Sequence, residues 1–90
     1  MITVHKRQLA LVDSQFISAP RHTEFLHAAF QHGDLCIWYR CDTAEDPWRY
    51  PVIISGTGHE APSHSYQHVG TVLTNDHQLV WHVFVEGGRR

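Results

Sequence analysis

The chain has 90 residues, 42% of them hydrophobic and 18% charged, with a net charge of -2 when histidine is neutral. This length suits one small domain, and a single lysine among six arginines offers no basic stripe for a nucleic-acid polymer. No apolar run approaches the roughly 20 residues of a bilayer-spanning helix, and no apolar targeting segment opens the sequence, so a cytoplasmic protein is expected.

In chain order, a strand is expected from about Ile2 to Val12. Its apolar residues Ile2 and Val4 have the opposite parity to Leu9 and Leu11, which calls for a bulge near Lys6 to Gln8 or a change of face. Asp13-Ser14 reads as a turn, Gln15 to Ala19 as a short strand, and Pro20 to Thr23 as a connection. From Glu24 to Asp42 the pattern is a hairpin with its tip at His32-Gly33-Asp34. A helix is the competing reading of 23–32, with Thr23 as N-cap and Gly33 as stop. Leu35, Ile37 and Tyr39 would share one face of the second hairpin strand, and Cys36, Trp38 and Arg40 the other. Cys36 and Cys41, on opposite parities of that strand, are expected as separate reduced thiols.

Residues 42–47 read as an acidic loop, and Trp48-Arg49-Tyr50 leads into the apolar strand Val52-Ile53-Ile54. Gly56-Thr57-Gly58-His59 makes a glycine-hinged corner. Residues 60–67 suit a loop or one helical turn. Val69 to Thr74, a turn at Asn75-Asp76-His77, and Gln78 to Val85 form a closing hairpin. The expectation is a single β domain over 1–86 with a flexible tail at 87–90. Core positions would be Leu26, Ala28, Leu35, Ile37, Val52, Ile54, Val72, Val80, Trp81 and Val83. The fold class that follows is all-β, a small sandwich or open barrel of about six or seven mainly antiparallel strands. So thin a core suggests a homo-oligomer, which would cover an edge strand or exposed aromatics.

Chemistry is harder to find than fold. Nine histidines imply charge changes between about pH 5 and 7. His59, His64 and His68 could converge on a metal, but their spacing matches no zinc pattern and Pro62 interrupts a helical arrangement. No metal or other cofactor is therefore expected, with those three histidines as the alternative. His82, inside a strand, shares its face with Val80 and Phe84 and needs a hydrogen-bond partner such as Thr71 or His59. The Gly56-Thr57-Gly58 turn lacks the Gly-Lys-Ser/Thr continuation of a phosphate loop. Ser55, Ser63 and Ser65 sit in no nucleophile motif, and the carboxylates fall in turns and at strand ends. A non-enzymatic protein is expected. Trp48, Arg49 and Tyr50 form the best candidate for an exposed anchor, with Arg40, His59 and His82 as further contacts to a partner or ligand.

The pattern also carries a resemblance. His5-Lys6, Leu35-Cys36-Ile37-Trp38, Gly56-Thr57-Gly58-His59, Val69-Gly70-Thr71-Val72 and Val80-Trp81-His82-Val83-Phe84 together resemble a family of small bacteriophage and prophage proteins of uncharacterised function, over nearly the whole chain. The histidine-rich 59–68 loop and the Gly-Gly-Arg-Arg ending depart from that family. The resemblance implies a phage protein in the host cytoplasm and brings no activity or catalytic residues. With the residues read above, it suggests a non-catalytic binding protein, acting as a counter-defence inhibitor of a host protein or sequestering a small nucleotide-like signalling molecule. A metal-dependent hydrolase using the loop histidines and a minor virion component are the alternatives.

Overall fold

The computed structural model describes every residue except Asn75, His77 and Arg90. Its strands run in chain order β1 (Ile2–Gln8), β2 (Ser14–Pro20), β3 (Glu24–Gln31), β4 (Asp34–Asp42), β5 (Pro47–Gly56), β6 (Gln67–Leu73) and β7 (Val80–Val85). They form two antiparallel sheets, one of three strands in the order β1-β4-β3 and one of four in the order β2-β5-β7-β6. The sheets pack face to face without closing into a barrel, so the sandwich form of the all-β expectation is the one observed. Among the described residues no helix is long and apolar enough to cross a membrane.

The core lies where inward positions of the two sheets meet. Leu35, Ile37, Tyr39 and Cys41 enter it from β4, Tyr50, Val52 and Ile54 from β5, and Val83 and Val85 from β7. Alternation set most of these positions, because successive side chains of a strand point to opposite faces. Residues 23–32 are strand, not helix. The β3–β4 turn has positive φ at both His32 and Gly33, which matches the right-handed twist of the flanking strands.

Several sequence expectations change. Leu26, expected in the core, is 43% exposed, because a bulge between Phe25 and His27 shifts the parity of β3 and lets Phe25 and Ala28 both face inward. The first strand ends at Gln8, and Leu11 and Val12 beyond it are exposed. No bulge reconciles its two apolar pairs: Thr3, His5 and Arg7 share the inward parity of Leu9, while Ile2 and Val4 face solvent. Val80 and Trp81 are only partly buried, Trp81 packing on the rim of the core. Gly56 has no positive φ; its side is taken by His59 and Trp81, whose atoms would stand 3.1 and 3.2 Å from an added methyl. Gly58 supplies the left-handed turn there.

Residues 60–66 form a loop with one turn, Tyr66 N–H donating to the Ser63 carbonyl. Two residues of the expected Asn75-Asp76-His77 turn lie outside the described residues. Within the stretch expected as a tail from residue 87, Arg89 and Arg49 exchange two 2.8 Å backbone hydrogen bonds and Gly88 lies against the Tyr50 ring. Cys36 and Cys41 are both buried and free.

The two long margins of the sandwich differ. At one, β6 lies against β3, with Gly70 on the backbone of Ala28. At the other, the free edges of β1 and β2 stand apart over a cleft.

Candidate functional site: the outer face of the four-stranded sheet

Strand register places the outward side chains of β2, β5, β7 and β6 in rows. Phe16 stands opposite Pro51 and Ser18 opposite Arg49. Ser14 pairs with Ile53, Ile53 with Phe84, and Phe84 with His68, so one row crosses the whole sheet. The next row runs from Ser55 to His82 to Thr71. Phe16 is 55% exposed, and the Arg49 guanidinium lies 4.9 Å over its ring, a cation–π arrangement that keeps the charge at the surface. Arg49 forms no ion pair among the described residues.

His82 is held by hydroxyls on both sides. Its Nε2 hydrogen-bonds with Thr57 Oγ1 at 2.7 Å and its Nδ1 with Thr71 Oγ1 at 2.9 Å. Thr71 Oγ1 also meets His68 Nε2 at 2.9 Å, so a chain of four polar side chains runs from the 57–66 loop across β7 to β6. The His68 ring lies 5.4 Å from Phe84. Thr71 was an expected partner of His82; Thr57 takes the place expected for His59.

His59 instead covers Gly56 and lines a cleft of about 390 Å³ with Asp13, Ser14, Ser55 and Glu60 at the end of this sheet. Ser55 and His59 share that cleft with no hydrogen bond between them among the described residues. No group of three His, Cys, Asp or Glu side chains able to hold a metal occurs among the described residues, so His59, His64 and His68 are not gathered into one.

The proposed contact residues are therefore divided. Arg49 and His82 lie on this outer face, and His59 at its end. Arg40 is on the other sheet, where it is ion-paired to Glu24. Trp48 and Tyr50 share the inward parity of β5: Trp48 packs on the core beneath Arg21, and buried Tyr50 donates its hydroxyl to the Pro20 carbonyl at 2.7 Å. The exposed anchor expected of Trp48-Arg49-Tyr50 reduces to Arg49, because alternation turns its two aromatic neighbours inward. Phe16 was missed. Its signal was an aromatic on the same parity as Ser14 and Ser18, on a strand otherwise polar on that side.

No curated protein and no solved structure matches the chain. A family model does match, over residues 1–90. The chain thus belongs to the family described as a domain of unknown function, DUF7352.

Proposed function

We propose that the chain is a non-catalytic binding protein that docks a partner protein on the outer face of its four-stranded sheet. The observation that carries this reading is the combination of exposed Phe16, the Ile53–Phe84 row and Arg49, which lies over Phe16 and has no ion pair among the described residues, on one continuous face. Aromatic and arginine side chains are the usual anchors of protein interfaces, the rings because they bury large rigid areas and arginine because its planar fork meets carboxylates in a fixed geometry. The fitting partner brings apolar side chains to Phe16 and to the neighbouring Ile53–Phe84 row, and a carboxylate to Arg49. Inhibition of a host protein by a phage-encoded inhibitor is one setting for such docking, supported by the sequence resemblance alone.

The test compares three immobilised proteins in capture from a lysate of the source cells: wild type, the double variant Phe16→Ser with Arg49→Glu, and Val4→Ser on the other sheet. A single stoichiometric protein retained by wild type and Val4→Ser but lost from the double variant supports the reading. The same protein on all three overturns the assignment of the face. Self-association in light scattering that disappears only in the double variant would make the occupant a second copy of the chain. Detection of the chain in purified virions, with no protein captured, would favour a structural role.

A further inference from the structure

Strand β1 is built the wrong way round for a sandwich. Its inward positions are Thr3, His5 and Arg7, opposite Cys41, Tyr39 and Ile37, all three buried, while Ile2 and Val4 point to solvent, 70% and 53% exposed. Polar residues on the parity that faces the opposite sheet break the pattern that folds a sandwich strand, although His5 and Arg7 stay exposed here, and such local conflicts concentrate at functional sites. The conflict has a location. At this margin the sheets stand apart, and His5 and Arg7 line a cleft of about 360 Å³ with Ser18, Tyr39, Thr43 and Glu45.

We infer that this cleft binds a small phosphomonoester. Arg7 has no ion-pair partner among the described residues, so its guanidinium is available to an anion in a planar, two-pronged geometry. The His5 ring is set edge-on to Tyr39, with centroids 6.0 Å apart, and its Nδ1 lies 4.0 Å from Cys41 Sγ. Its Nε2 takes no protein partner among the described residues. The Thr43 hydroxyl is spent on the Met1 carbonyl and Ser18 stands on the outward parity of β2, so the free donors are the Arg7 guanidinium and the His5 ring, and a tetrahedral anion with three terminal oxygens can meet both at once. Glu45 on the same wall repels a bare anion but accepts from hydroxyl or amino groups, which favours a phosphate attached to a sugar or nucleoside over free phosphate. Pro20 and Pro47 give that body an apolar wall. The volume lies at the small end of ligand pockets, about the size of a mononucleotide. This site is separate from the protein-docking face and does not rest on it.

The test is a titration of the isotope-labelled chain with adenosine monophosphate to about 1 mM, with adenosine and inorganic phosphate as separate arms. The expected result is amide shifts confined to β1, β2 and residues 43–47, with adenosine silent. Arg7→Gln should weaken binding roughly tenfold or more while leaving the denaturation midpoint unchanged, since the side chain is exposed. Should that variant fail to fold, His5→Gln takes its place with the same expectation. No shifts with adenosine monophosphate, equal binding by the folded variant, or shifts mapping elsewhere would overturn the inference. Equal binding of inorganic phosphate would remove the sugar or nucleoside body from it.

Discussion

Gly70 on β6 rests on the backbone of Ala28 on β3: a methyl group at residue 70 would stand 2.9 Å from the Ala28 carbonyl oxygen and 3.1 Å from its nitrogen. The two residues belong to different sheets, so this contact draws one margin of the sandwich shut while β1 and β2 remain apart at the other. Backbone cannot rotate away as a side chain can. Gly70→Ala should therefore cost about 1 to 3 kcal/mol in denaturant unfolding. Gly87→Ala, where an added methyl meets open space, should change the midpoint little.

Tyr50 ties the start of β5 to the end of β2. Its hydroxyl donates to the Pro20 carbonyl at 2.7 Å and accepts from the Thr23 N–H at 3.3 Å, with the ring buried against Phe25. Tyr50→Phe keeps the ring packing and leaves the Thr23 N–H without its acceptor, so a loss of about 1 to 2 kcal/mol is expected in thermal or urea unfolding. The Pro20 carbonyl keeps its bond from the Thr23 hydroxyl, which limits the effect.

Asp42 accepts from the Ala44 N–H at 3.0 Å and from the terminal ammonium at 3.1 Å, and these bonds hold its pKa below the usual 3.8. A folded pKa below the unfolded one gives a stabilising contribution that is present above about pH 4 and is lost as pH falls through the folded value. The gap in unfolding midpoint between wild type and Asp42→Asn should thus narrow below that pH. A constant gap from pH 7 to 3 would contradict it.

The Thr57–His82–Thr71 bridge anchors the 57–66 loop to the sheet. Replacing His82 with phenylalanine removes both bonds while keeping a ring on β7. Amide exchange should then quicken at Thr57 and His59, whose N–H groups bond to the Val80 and Gly56 carbonyls, with β4 unchanged.

Most of the strands were legible because alternation and turn chemistry agree along them. In β4 the order Leu35, Ile37, Tyr39 and Cys41 on one parity fixes the inward face without further information. Leu26 was misread because a bulge leaves no mark that distinguishes Phe25-Leu26-His27 from a regular strand; both parities offered an apolar residue. The faces of β1 stayed open in sequence, between a bulge near Lys6 to Gln8 and a change of face, because Ile2 and Val4 have the opposite parity to Leu9 and Leu11. Its register with β4 is regular, buried Leu9 marks the inward parity, and Ile2 and Val4 lie in solvent. Arg49 and His82 were found in sequence as chemically distinctive residues. That they share a face with Phe16 depends on β5 pairing β2 on one side and β7 on the other, a long-range fact that no local pattern contains.

The docking face is tested most directly by photo-crosslinking, with benzoyl-phenylalanine placed singly at Phe16, Phe84 and Val4 in the chain bound to its captured partner. Crosslinks from positions 16 and 84 with none from position 4 are the predicted result. Crosslinks from position 4 alone would contradict the account and move the interface to the outer face of the three-stranded sheet.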